Sequence, residues 1–285
     1  GEAATAAMFF NEPLQQYHLE WVRDLMTPVN PYTGLTLAED PAVAFIEVQN
    51  ESNTLFWTLS PERLAPHTLQ LIQRAFGEFA AEKYGSLKKA FRHWGVSQPG
   101  DDLDAGTAGI LSAWSMTTEN TGETRPRATD QVEFLTRRQY ALYTRMKDAF
   151  YDLGIRKMVA ASNWKTADPS NLAPLEHYSY TAVDVVNKNE YFAPIKVDSP
   201  RFYATDVGDR FVPLSSMRAP EMAGVLMNAQ VADWPYMITE NNWDEPNVYR
   251  TEWPFLVATY GAAGGIDGWN FFAYDTPMWD TGNRT

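Results

Sequence analysis

The chain contains no cysteine among its 285 residues. Disulfides, thiolate metal sites and thiol nucleophiles are therefore excluded, and any compartment argument based on redox state stops there. Basic side chains are also scarce, 23 Lys and Arg against 36 Asp and Glu, for a formal net charge of -13. Basic residues cluster no further than pairs such as Lys88-Lys89 and Arg137-Arg138. A surface of this sign repels phosphate backbones and anionic membranes, so a nucleic-acid partner is not expected and a neutral ligand fits better. Apolar runs fall well short of the ~20 residues needed to span a bilayer. The first seven residues lack the charged-then-apolar layout of an export signal, so any such signal is expected to have been removed already. No Gly-rich turn follows the first strand candidate, since Gly261-Ala262-Ala263-Gly264-Gly265 precedes a strand, which argues against a dinucleotide fold.

What the chain has in quantity is aromatic surface, with 10 Trp, 14 Tyr and 15 Phe. Most are expected in the core. Several Trp, however, stand next to Asn, Asp or Glu, and a large ring beside hydrogen-bonding groups suits a pyranose, which has apolar C–H faces and a rim of hydroxyls.

Hydrophobic periodicity predicts a helix over Asn11–Val29, stopped by the turn Asn30-Pro31-Tyr32-Thr33-Gly34. Strands are expected at Ala42–Asn50, Lys157–Asn163, Tyr180–Val186, Pro235–Thr239 and Gly265–Ala273. Helices are expected from Ser60-Pro61 to Tyr84, over Asp130–Leu153, Pro220–Val231 and Tyr249–Ala263. Residues 94–129 read as an irregular insertion in a single domain. Strands that alternate with helices imply a parallel sheet, and polar residues gathered at strand ends imply a (β/α)8 TIM barrel, whose chemistry sits at the carboxyl ends of its strands.

Two strand ends carry a glutamate in a polar setting, Glu51 in Val48-Gln49-Asn50-Glu51-Ser52 and Glu240 in Met237-Ile238-Thr239-Glu240-Asn241. A pair of carboxylates is the minimum apparatus for glycoside hydrolysis, one protonated to release the leaving oxygen and one ionised. Glu47 is a rival acid, but lies four residues back along the strand, inside the barrel. Asp184 reads as a buried network member and Glu190 as a loop carboxylate. His177 has no ligand at metal spacing, so no metal and no cofactor are expected.

The set Asn50-Glu51, Ile238-Thr239-Glu240 and Trp269, in that order and at these intervals, resembles the clan A retaining glycoside hydrolases. So do Asn30-Pro31-Tyr32-Thr33-Gly34-Leu35, Asp40-Pro41-Ala42-Val43-Ala44 and the stretch Glu252–Tyr260, which look like bacterial members related to family 5 cellulases and β-agarases. The resemblance implies a TIM barrel of which this chain carries strands 4 to 8. Further polypeptide of the same enzyme is then expected to supply the missing strands, because open apolar edges are avoided.

It further implies a secreted or periplasmic bacterial enzyme that cleaves β-glycosidic bonds of a polysaccharide or oligosaccharide by double displacement. Glu51 is implied as acid/base, Glu240 as nucleophile and Asn50 as the partner of the sugar 2-hydroxyl. Trp269 is the implied platform under the reacting sugar, with Trp164, Trp243 and Asn241 at neighbouring positions. Where the family has His-x-Tyr this chain has Asn189-Glu190-Tyr191, and Tyr191 is implied to orient the nucleophile. An exo-acting β-galactosidase-like glycosidase and a non-catalytic carbohydrate-binding relative remain as alternatives.

Overall fold

The computed structural model of the chain describes residues 6–117, 122–192, 195–197, 208–218, 229–243 and 246–273. It divides into two compact units, Gly1–Val185 and Val186–Thr285.

In the first unit, α1 (Glu12–Met26) starts where Asn11 accepts a hydrogen bond from the Leu14 amide, and Pro13 occupies the first turn. The Asn30–Gly34 turn then forms as expected, with the Gly34 amide donating to the Asn30 carbonyl at 2.8 Å and Gly34 at φ 72°. The first strand is shorter than the apolar run implied: β1 is Phe45–Glu47. It pairs in parallel with β2 (Met158–Ala160), and the amides of Val48 and Gln49 continue the ladder onto the carbonyls of Ala160 and Ala161.

Between these strands lie α2 (Pro66–Tyr84), α3 (Leu87–Trp94) and the 28-residue α4 (Arg125–Asp152). The start of α2 differs from the expectation at Ser60. The Ser60 hydroxyl donates to Glu62 and its carbonyl accepts from Arg63, so residues 60–63 close a turn, and the second proline, Pro66, opens the helix. Similarly α4 begins five residues before Asp130, with Pro126 in its first turn. Leu55, Leu59, Ile72, Phe76, Trp94, Ile110, Phe134 and Leu135 form the buried core of this unit.

Of the strand expected at Tyr180–Val186 only the end is extended, where Val185 bridges Ala160 in parallel and Val186 opens the next strand. Tyr180 ends a helix, α5 (Pro169–Tyr180), capped by Asp168, whose carboxylate accepts from the amides of Ser170 and Asn171. A proline at Pro174 inside this helix had masked it in the sequence. The strand comes later, as β3 (Val186–Phe192), and places Asn187, Lys188, Asn189, Glu190 and Tyr191 within a strand rather than after one.

The second unit is built on a three-stranded sheet in the order β3, β6 (Tyr236–Trp243), β7 (Gly268–Phe271), every pair parallel. A short antiparallel pair, β4 (Ile195–Val197) with β5 (Arg210–Val212), and the helix α6 (Glu252–Gly264) complete its described part. The helix expected over Pro220–Val231 lies outside the described residues except for 229–231, which are turn and coil. The chain is thus a mixed α/β structure with helices and parallel sheets, and no closed barrel is formed among the described residues.

The apolar positions of α1 divide between two faces: Leu14, Tyr17, Trp21 and Leu25 are exposed, while Val22 is buried together with Gln15 and Met26.

Candidate active site

Glu51 follows the extended end of β1 and adopts φ 46°, in the left-handed region that residues with a Cβ rarely occupy. Such a conformation costs about 1–3 kcal/mol and persists only when neighbours impose it. Here they do. The Glu51 amide donates to Asn163 Oδ1 at 2.8 Å, the Ser52 amide to Ser162 Oγ at 3.1 Å, and Asn163 Nδ2 to Asn50 Oδ1 at 2.9 Å. The polar tail of β2, Ser162-Asn163, therefore holds the polar tail of β1 in place. Asn163 and Ser162 are buried, whereas Asn50 is exposed and its amide donors meet no acceptor among the described residues.

Beneath this turn lies a buried polar layer that the sequence did not reveal. Asn53 donates to Glu176 Oε1 at 2.7 Å, and Tyr180 donates to the same oxygen at 2.7 Å. Gln139 accepts from both the amide and the hydroxyl of Thr54 and donates to Ser179 at 3.1 Å. Glu176 is fully buried, and it has no sequence signal because it sits in the helix hidden by Pro174. Burial, reinforced by the Glu176 charge, pushes the phenols of Tyr143 and Tyr180 well above their usual range. Glu47 lies within β1 opposite Ala160 and adds to the shift at Tyr143, which keeps it in this inner layer. His177 stands 4.0 Å from Glu176 as part of the same layer. Trp164, partly exposed, packs edge-on against Phe56 with ring centroids 5.4 Å apart.

In the second unit Glu240 lies inside β6, at an irregularity. Lys188 pairs with Ile238, but Asn189 pairs with Glu240, so β6 carries one extra residue, Thr239. The same excess appears on the other edge, where Ile238 pairs with Trp269 and Asn241 with Phe271. This is a β-bulge, a device that re-aims a side chain next to a site. Its effect is visible in the burial, since Tyr236 and Ile238 are buried before the bulge and Asn241 and Trp243 after it. Thr239 and Glu240 thereby both join the face that carries Asn187, Asn189 and Tyr191. On that face Thr239 Oγ1 donates to Asn189 Oδ1 at 2.9 Å, Asn187 donates to Thr239, and the Tyr191 hydroxyl donates to Glu240 Oε2.

The opposite face belongs to α6. Trp253 packs edge-on against Trp269 with centroids 4.9 Å apart, contacts Phe271, and donates its indole N–H to Asn241 Oδ1. Three of the residues expected to bind substrate lie on this side of the sheet. Trp269, half-exposed though it is, shares a face with Trp253 and not with Glu240, because its partner in register is the buried Ile238. Asn241 is fully buried with both ends of its amide engaged, the nitrogen on the Glu190 carbonyl. Trp243 is also fully buried, packed on Phe192 and bonded to Ser216 Oγ at 3.1 Å. These three support the sheet from its helix side.

Beside Tyr191, a second aromatic ring on the Glu240 face is Phe272, which is 52% exposed and meets the Tyr191 ring edge-on at 6.4 Å. It follows Phe271 directly, and two adjacent aromatic residues leave a sequence reader no means of choosing the face. Among the described residues no three metal-ligating side chains converge.

No protein-family model and no curated protein sequence matches the chain. Solved structures do. An exo-beta-agarase aligns over 94% of this chain with a TM-score of 0.55 and 13% identity, and the agarase AgWH50C over 93% with a TM-score of 0.53 and 14% identity. The protein PfGH50B aligns over 94% with a TM-score of 0.53 and 12% identity. The chain spans about a third of the length of each of these proteins, 34% or 35%. At such identities the likeness is one of fold.

Proposed function

We propose that the chain carries the two catalytic carboxylates of a retaining β-glycoside hydrolase, with Glu240 as nucleophile and Glu51 as acid/base. The observation that carries this reading is Glu240 itself, brought by a bulge onto a face lined with amides and a phenol, with Tyr191 holding one of its oxygens. A phenol that donates to one carboxylate oxygen fixes the plane of the group and leaves the second oxygen to attack. In the first step that oxygen bonds to the anomeric carbon while Glu51 gives its proton to the departing glycosidic oxygen. In the second, Glu51 takes a proton from water, whose oxygen displaces Glu240. Asn50, exposed beside Glu51, offers its amide N–H groups to the sugar 2-hydroxyl, a bond that strengthens as positive charge grows on the ring. No metal is needed for either step.

The substrate proposed is a β-linked, neutral or weakly anionic polysaccharide, since the similar folds include agarases and a net charge of -13 disfavours strongly anionic ligands. A polymer of that kind is met outside the cytoplasm, which makes a secreted or periplasmic bacterial enzyme the fitting setting. No helix among the described residues is long and apolar enough to cross a membrane. Turnover of an aryl β-glycoside followed by NMR tests the mechanism: the β-anomer forms first if configuration is retained, and the α-anomer forms first if the mechanism is wrong.

Phe272 replaces Trp269 as the proposed platform under the reacting sugar. Phe272→Ala is expected to lower kcat/KM about tenfold, the value of one lost ring contact of about 1.4 kcal/mol, with the unfolding midpoint kept. Trp269→Ala should do the reverse, costing about 1–3 kcal/mol of stability through its packing on Trp253 and leaving kcat/KM in place. Steady-state kinetics and urea unfolding on both variants decide between the two rings.

Further polypeptide of the same enzyme is proposed to cover the exposed stripe of α1. Four large apolar side chains on one helix face form a patch of the kind that marks an interface. Replacing Tyr17, Trp21 and Leu25 together by Ser should change the stability of the 285-residue chain in urea unfolding by no more than about 0.5 kcal/mol per site. In a protein that includes the covering polypeptide the same change should cost several times more. Equal effects in both would remove the proposal.

A further inference from the structure

Trp57 and Trp114 are 37% and 57% exposed, with ring centroids 5.4 Å apart and planes 30° from parallel. Two indoles left in water forgo about 2 kcal/mol of burial each, in a unit whose core has room for Trp94. Their positions are not accidental products of loose loops. Trp57 sits in the turn that follows the polar end of β1, where the Leu59 amide donates to the Phe56 carbonyl at 2.9 Å. The flanking residues Leu55 and Leu59 are fully buried and anchor that turn.

Trp114 is presented by the irregular segment 95–112, and that segment is clamped by buried polar groups. Arg127 grips Asp101 through both its terminal nitrogens at 2.8 and 2.6 Å and donates to the Gly109 carbonyl at 2.8 Å. Gln131, fully buried, pairs with both the amide and the carbonyl of Leu111 at 2.7 and 2.8 Å. Finally the Ala113 amide donates to the Leu59 carbonyl at 2.9 Å, which ties the Trp114 segment to the Trp57 turn. A rigid aromatic pair fixed before any ligand arrives is what preorganised recognition of a ring requires.

Polar groups lie next to the rings. Ser115 follows Trp114 directly, and Ser115, Met116, Thr117, Arg125 and Asn171 are among the residues lining a groove of about 330 Å³ that begins one residue after that ring. On the other side Phe56, the residue before Trp57, meets Trp164. Rings and hydroxyl-binding groups side by side are the chemistry of a pyranose subsite.

We propose that Trp57 and Trp114 form a sugar-binding subsite that holds a pyranose of a multi-unit glycan away from the bond that is cleaved. The assignment rests on the glycosidase reading for the identity of the ligand class, while the stacking itself needs no catalysis. The test uses the full chain with Trp57→Ala and Trp114→Ala, and the Trp→Phe variants as controls for folding. Probes are β-linked oligosaccharides of two, four and six units prepared from agarose and from cellulose, together with an aryl β-monoglycoside.

Each Ala variant should raise KM for one hexasaccharide series about tenfold, leave kcat on that series unchanged, and leave the monoglycoside unaffected, with partial recovery in the Phe variants. Calorimetric titration of the hexasaccharides should show the same loss of affinity. If the chain cleaves nothing yet the variants still weaken hexasaccharide binding, the subsite stands and the glycosidase reading falls. If cleavage proceeds and the Ala variants bind and turn over hexasaccharides like the parent, or lose the monoglycoside equally, the subsite is overturned.

Discussion

Glu240→Ala is expected to lose activity on every substrate, on the order of 10⁴-fold or more, because the covalent intermediate has no other carboxylate to form on. Glu51→Ala should behave differently. Loss of the general acid costs roughly 10²–10⁴-fold on substrates with poor leaving groups, yet an aryl glycoside with an acidic phenol needs no proton to depart. The first step then survives and the intermediate accumulates, seen as a burst of phenol followed by a slow steady state. Added azide separates the roles further. In Glu51→Ala it should attack the glycosyl-Glu240 bond and release a β-glycosyl azide; in Glu240→Ala it can only attack the substrate, with inversion, and give the α-azide. Exchange of these patterns would exchange the roles of the two residues, and equal loss without azide products in both would count against double displacement.

Tyr191→Phe adds a finer reading of the same chemistry. It removes the donor that holds Glu240 without disturbing the ring that meets Phe272, so the change falls on kcat rather than on stability.

Where hydrophobic pattern alone decides structure, the sequence was legible. The helix from Glu12 to Met26, the bulk of α4 and α6, and the strands at Ile46, Val159, Ile238 and Trp269 all fall where apolar period and turn residues place them. β3 was misplaced for a physical reason. Its residues Asn187, Lys188 and Asn189 are buried polar groups, so the strand has no apolar signature and the nearby Tyr180–Val186 run outbid it. The bulge at Thr239 was invisible because one inserted residue changes which face every later side chain occupies, while nothing in Ile238-Thr239-Glu240-Asn241 announces it. For the same reason the sequence pattern does not tell which of Trp269 and Phe272 shares a face with Glu240. The α1 stripe shows the limit from the other side: periodicity reveals which residues share a face, and it does not say whether this polypeptide covers that face.

The second large effect is one of stability, at Arg127. Its side chain is 2% exposed, bonded to Asp101, Gly109 and Val96, and its guanidinium lies 4.2 Å from the Trp94 ring centroid. Arg127→Met keeps the volume and removes the charge, leaving the Asp101 carboxylate almost buried without its counter-ion. Breaking a buried pair in this way costs about 3–5 kcal/mol. For a unit of this size each kcal/mol moves the midpoint by about 2–4 °C, so a fall of about 10 °C is expected in thermal unfolding.

A double-mutant cycle with Asp101→Asn resolves the pair. Asp101 also accepts the amides of Gln98 and Gly109, so removal of both charges should not restore the parent, but the double variant should be more stable than the sum of the singles predicts. Arg127→Lys should recover only part of the loss, because an ammonium cannot reach both carboxylate oxygens and two carbonyls from one plane. Additivity of the two single changes would mean that the ion pair does not hold residues 95–112, and the fixed presentation of Trp114 would then need another cause.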